Sequence, residues 1–215
     1  VISASIILIF LFAGTKERKI IPDKIQLIAE LFYSFVAKMI SDTAGSKAKP
    51  YFPFIFSLFM FVLFCNMLGM LPYSFTVTSH IIVTLLMAIF IFIAVTIIGF
   101  QIHGLHFFSF LLPPGAPLIL SPFLVVIELV SYVFRAISLG VRLFANMMAG
   151  HTLVKILSGF AWSMLSLSGV LKLAASIPFV VVFALMFLEV GVACLQAYVF
   201  TILTCIYLND AIHLH

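Results

Sequence analysis

Charge is what this chain has least of. Only 8% of its 215 residues are Asp, Glu, Lys or Arg, where a soluble domain carries about 25%. With 65% of residues hydrophobic and a mean hydropathy of +1.33, a water-facing domain of this size has too little interior to hide its apolar surface. A soluble globular protein is excluded, and lipid must solvate most side chains. The 11 glycines and 9 prolines fall short of the share in low-complexity chains, and the long apolar runs exclude disorder. Cysteine is scarce as well. Cys65, Cys194 and Cys205 lie in apolar segments at irregular spacing, the pattern of small hydrophobes and not of a disulfide or metal site. No Gly-x-x-x-x-Gly-Lys-Ser/Thr loop occurs, so nucleotide chemistry must belong elsewhere. The formal charge is +4, but Lys16, Arg18, Lys19, Lys24, Lys38, Lys47 and Lys49 make up seven of the 11 Lys and Arg. That clustering is an orientation signal and not a nucleic-acid surface.

What is present is apolar runs with helical spacing, read as a single membrane domain over 1–215. Residues 1–14 predict a first span, although shorter than the roughly 20 residues a crossing needs. The chain starts at Val1 and not Met, which fits a processed or truncated start, and this stretch lacks the basic flank and small-residue cleavage site of a signal peptide. Residues 23–41 place Ile25, Ile28, Phe32, Phe35 and Met39 on one helical face and Gln26, Glu30, Ser34 and Lys38 on another, predicting an amphipathic helix on the membrane surface. Residues 51–72 and 81–100 predict two ordinary spans, with a short turn between them. Residues 101–121, rich in proline, predict a loop or re-entrant stretch. Ser121-Pro122 is a helix start, and no further proline occurs before Pro178. A helix over 121–157 is then about 55 Å long against a hydrocarbon core of about 30 Å, so it must tilt strongly or kink near Gly140. A second overlong helix, 172–208, returns beside it. The expected fold is an all-α integral membrane protein of about five crossings plus one surface helix, its last two crossings a long, strongly tilted antiparallel hairpin. The basic cluster faces the matrix or cytoplasm, leaving the N-terminus outside and the C-terminus inside. No internal repeat of the kind found in secondary transporters is visible.

Charges inside the hairpin need an explanation, because each costs roughly 2.5 to 3.5 kcal/mol near the bilayer centre. Glu128, Arg135 and Arg142 recur every seven residues, and so do Glu189 and Gln196, with Asp210 fourteen further on; each set forms one stripe. In an antiparallel hairpin, residues at one depth have position numbers that add to a constant. That rule pairs His151 with Glu189 in the outer part, Arg142 with Gln196 in the middle and Glu128 with Asp210 at the inner edge. Arg142 is then left beside a neutral amide. Since arginine stays protonated, its counter-charge must come from another protein, and the small residues Ser138, Ala145 and Ala149 on its side let another helix approach closely. His151, half a revolution away from Arg142, could relay protons beside Glu189. Asn66 inside a span could add a polar wall.

Plainer readings compete. Arg135 could snorkel or pair with Glu128. Lys155, Lys172, Asp210 and the histidines at 80, 103, 106, 213 and 215 could be interfacial. Asn66 could serve only helix packing, and Arg142 could be half of a structural ion pair.

The run ELVSYVFRAISLGVRLFANMMAGH from Glu128 to His151, followed by LQAYVFTIL from Leu195, resembles the a subunits of the rotary (F-type) ATP synthase membrane sector. The likeness is greatest to mitochondrial members of plant or protist type and their alphaproteobacterial relatives. It covers nearly the whole chain and is most specific over 128–160 and 188–215. The 25 phenylalanines, interchangeable with Ile and Leu in a bilayer, fit the AT-rich coding of an organelle genome. The resemblance implies a proton-translocating stator subunit without covalent catalysis, cofactor or metal. It would be packed against a ring of hairpin subunits with a buried carboxylate, together with peripheral-stalk and other synthase subunits and lipid, and would bind no nucleic acid. The expected place is the mitochondrial inner membrane, or alternatively a bacterial plasma membrane. Arg142 matches the family's essential arginine, and Asn146, Gln196 and Glu128 match neighbouring polar positions. Many bacterial members carry Glu where this chain has His151 and His where it has Glu189, an exchange that keeps one acid and one imidazole. The implied mechanism has two offset half-channels: His151, Glu189 and Asn66 toward the outside, Glu128 toward the inside, and Arg142 between them. A self-contained proton-coupled transporter is the competing expectation.

Overall fold

The computed structural model describes residues 2–16, 22–70, 77–104, 121–165 and 176–212. Among them the chain is helical, with no strand: α1 (Ile2–Lys16), α2 (Lys24–Ala44), α3 (Phe52–Gly69), α4 (Ile81–His103), α5 (Ser121–Leu165) and α6 (Ser176–Ile212), with short 3-10 turns at Ser46–Tyr51 and Val77–Ser79. The stretch expected to be a loop or re-entrant segment lies, from 105 to 120, outside the described residues. So do Lys172, His106, His213 and His215.

Four helices are long and apolar enough to cross a membrane: those within Lys47–Gly69, Ile81–His103, Pro122–Met164 and Pro178–Ile212. At 15 residues, α1 is apolar but short of a full crossing. Glycine ends two of the helices, because L side chains rarely adopt the backbone required there. Gly45 follows α2 with φ +69 and Gly104 follows α4 with φ +57, its N–H reaching back to the Phe100 carbonyl.

The amphipathic reading of α2 needs one correction. Met39, assigned to the apolar stripe, is buried with Val36, Ile40 and Ala44, because α2 packs against α1, α3 and α6. Ile25, Ile28 and Phe35 remain exposed.

The hairpin dominates the fold. Running to Leu165, α5 has 45 residues and is about 67 Å long; α6 has 37 and is about 55 Å long. Nothing stops α5 at 157, since a single Gly159 costs a helix only about 1 kcal/mol. On the inner face of α5, Ala136, Leu139, Leu143 and Met147 are buried in one stripe. They meet α4 on one side and α6 on the other. In turn α6 contacts α2, α3, α4 and α5, through small buried residues such as Ala193 and Ala197 that permit close approach. Its buried hydroxyls are satisfied within the helix, Thr201 donating to the Ala197 carbonyl and Thr204 to the Phe200 carbonyl.

Gly140, where a kink was the alternative to a strong tilt, is a crossing point of α5 with α4. The helix continues through it unbroken, and an added Cβ there would lie 2.9 Å from the Thr84 carbonyl oxygen and 3.1 Å from Leu85 Cα. Backbone cannot step aside as a side chain can. Gly140→Ala is therefore expected to cost about 1 to 3 kcal/mol through overpacking of α4 on α5, read as a lowered melting temperature in detergent. Gly159→Ala, which meets nothing within 4 Å, should leave the melting temperature unchanged or slightly raised.

Candidate functional site

Arg142 stands near the middle of α5 and is exposed. Its inner-face neighbours Leu139 and Leu143 are buried, so helix geometry turns the guanidinium outward. It lines an open groove of ≈ 480 Å³ with Ser131, Phe134, Arg135, Ser138 and Leu139 of α5, and Leu203 and Tyr207 of α6. Gln196, expected at the level of Arg142, is buried and is not among the groove's lining residues. Among the described residues Arg142 makes no ion pair. Ala145 and Ala149 continue its exposed side, keeping the surface beyond the guanidinium low.

The other polar zone lies on the buried side of α5. His151 Nδ1 is 3.4 Å from Glu189 Oε1, uniting two residues that the position-number rule places together. Glu189 is buried, and its Oε1 has no partner in hydrogen-bond geometry among the described residues. One turn further along α6, the Ala193 carbonyl accepts a hydrogen bond from Asn66 Nδ2 at 3.2 Å. Asn66 is wholly buried and its Oδ1 is likewise unsatisfied. A buried acid oxygen and a buried amide oxygen, both open to a further donor, mark a place suited to proton exchange or ordered water. Gly150 also belongs here although nothing in the residue pattern marks it: it is bare where the Glu189 carboxyl lies.

At the other end of the hairpin the expected pairing changes. Asp210 Oδ2 lies 3.6 Å from Arg135 Nη1, and among the described residues Arg135 makes no ion pair with Glu128. The position-number rule sets Arg135 level with 203 to 205, so Asp210 is about 7 to 10 Å further along α6, a gap that the long arginine and the aspartate side chains close together. Glu128 is half-buried and makes no ion pair among the described residues. Tyr207, unmarked by any charge pattern, stands within electrostatic range of Arg135, Arg142 and Asp210. Beside them the Tyr132 and Thr96 hydroxyls lie 3.1 Å apart. His103, expected to be interfacial, places a ring nitrogen 3.0 Å from the Ile212 carbonyl at the end of α6. Asn146 follows Arg142 by one turn and is half-buried.

An arginine without an ion pair among the described residues lies two and a half helical turns before His151 of the acid–imidazole pair, an arrangement open both to a self-contained transporter and to a subunit that works against a partner. Comparison with known proteins decides which. The family described as ATP synthase A chain matches residues 1–209. The chain belongs to that family. An ATP synthase subunit a of Pelagibacter ubique is 60% identical over 215 residues, covering 100% of this chain and 86% of the relative. One of Marchantia polymorpha is 58% identical over 213 residues, covering 98% and 84%, and one of Chondrus crispus is 48% identical over 215 residues, covering 100% and 85%. Membership makes the chain the proton-translocating stator component of an ATP synthase, a multi-pass membrane protein and a member of that complex. The self-contained transporter is set aside. With relatives in a bacterium and in plants and algae, the mitochondrial inner membrane and the bacterial plasma membrane both fit.

The Arg135–Asp210 pair yields a test. Its side chains are 43% and 31% exposed, so its coupling should be modest, on the order of 1 kcal/mol. In a double-mutant cycle of Arg135→Ala and Asp210→Asn read by thermal unfolding, the double variant is expected to lose less than the sum of the two single losses. Additive losses would mean that the two side chains do not interact.

Proposed function

We propose that the chain divides the proton path into two offset half-channels and that Arg142 is the barrier between them. Protons enter from the outer side past Asn66, His151 and Glu189 and are handed to a buried carboxylate on a rotating ring of hairpin subunits. Once neutral, that carboxylate can turn into lipid. After nearly a full revolution it meets Arg142, which favours its ionised form, and releases its proton toward the inner side near Glu128. Asn146 and Gln196 supply polar surface beside the arginine. Each proton crossing a potential of 100 mV delivers about 2.3 kcal/mol, and many crossings in sequence turn the ring.

The observation that carries this reading is Arg142 itself: exposed, in a groove, with no acid of the described chain in ion-pair contact. A permanent cation so placed calls for a carboxylate from outside the chain. The pairing of His151 with Glu189 supports the outer path, since imidazole changes charge near physiological pH. Ring, peripheral-stalk and other synthase subunits are the partners this reading requires, with lipid on the remaining apolar faces.

Arg142→Ala is expected to abolish ATP-driven proton pumping in inverted membrane vesicles while leaving the chain in the membrane. Undiminished pumping by that variant would reject the coupling role.

A further inference from the structure

Glycines 140, 150 and 159 all lie on α5, and each has a different neighbourhood. An added Cβ at Gly159 meets nothing within 4 Å, and one at Gly140 meets the backbone of α4. At Gly150 the added Cβ would fall 2.8 Å from Oε1, 3.0 Å from Cδ and 3.1 Å from Cγ of Glu189. The carboxyl therefore lies over the bare Cα of Gly150. The next residue, His151, has its Nδ1 3.4 Å from the same Oε1. We infer that Gly150 is a positioning residue of the proton path: its missing side chain is the seat of the Glu189 carboxyl, which it holds beside the His151 imidazole. This rests on the reading of Glu189 and His151 as the outer half-channel.

Two physical considerations separate this role from ordinary helix packing. In a helix interior glycine is roughly 0.5 to 1 kcal/mol less favourable than alanine, so α5 itself gains nothing from a glycine at 150. The atoms that a methyl group would strike also belong to a flexible side chain and not to backbone, so Glu189 is what must give. The fold therefore survives the change, and what is lost is the place of the carboxyl. Proton transfer needs donor and acceptor within hydrogen-bond reach, and a displacement of about 1 Å can slow a reaction by up to about 100-fold.

The test uses the assembled synthase in inverted membrane vesicles, with ATP-driven acidification normalised to the amount of chain in the membrane. Gly150→Ala is expected to pump about tenfold more slowly, and Gly159→Ala at the unsubstituted rate. Glu189→Gln should be impaired, because the acid is removed. In the Glu189→Asp background, where the shorter acid no longer fills the seat, adding Gly150→Ala should cost much less than it does beside glutamate. A structure of the Gly150→Ala complex should show Glu189 turned away from His151. An unchanged separation there, normal pumping by Gly150→Ala, an equal cost in both backgrounds, or loss of that variant from the membrane would each overturn the inference. The half-channel reading has its own point of failure: if Glu189→Gln pumps normally, that reading falls and the seat falls with it. If Glu189→Gln is impaired and Gly150→Ala is not, only the seat is rejected.

Discussion

A guanidinium that cannot lose its proton, set on an apolar helix with no acid of the described chain in contact, is the constraint around which the hairpin is built. Exposure to hydrocarbon costs such a group roughly 2.5 to 3.5 kcal/mol, and the chain contains the means to avoid that cost. It does so for Arg135, which meets Asp210 at 3.6 Å. Arg142, two turns away in the same groove, receives no such partner among the described residues. Leu203 and Tyr207 of α6 line the groove beside both arginines, and only Arg135 has a carboxylate of the described chain in ion-pair contact.

The same hairpin separates two polar regions. Toward one end lie His151, Glu189 and, through the Ala193 carbonyl, Asn66. Toward the other lie Arg135, Asp210, Tyr132 and Tyr207. Between them α5 presents Leu143 and Met147 to the interior and α6 presents Ala193, Ala197 and Phe200, all buried. The hydroxyls in that stretch, Thr201 and Thr204, are bonded to their own helix. The buried amide of Gln196 lies in the same stretch of α6, so this layer is mostly and not wholly apolar. On the half-channel reading, a path that stops at this layer can be completed only by a carrier outside the chain, which is the task a ring carboxylate would perform.

Much of this was legible in the residues alone, because in lipid the reading rests on length and charge. Runs of about 20 apolar residues mark spans, and the length without proline after Pro122 marks an overlong helix. His151 and Glu189 were matched by position because short side chains meet only when their backbones lie at the same depth. Arg135 and Asp210 were not matched for the converse reason: a long, flexible cation reaches beyond its own level, so position numbers alone do not fix its partner. Gly150 was invisible because its contribution is an absence of atoms, which matters only once Glu189 is known to lie above it. The burial of Met39 was likewise hidden, since spacing gives the apolar face of α2 but not which of its residues other helices cover.

On the half-channel reading, magnitudes also explain why a proton, and not mechanical force, should release a ring carboxylate from Arg142. Carrying an ionised acid from the guanidinium into hydrocarbon costs roughly 2.5 to 3.5 kcal/mol for the acid and exposes the cation as well. A potential of 100 mV supplies only about 2.3 kcal/mol per charge, so the field alone does not cover the step. A protonated acid is neutral and meets far less of that penalty. Motion away from the arginine is therefore open only after protonation, and motion toward it favours ionisation. A fixed cation thus imposes direction without moving itself, provided that protons reach its two sides by different routes, which is the task the half-channel reading assigns to the two polar regions of the hairpin.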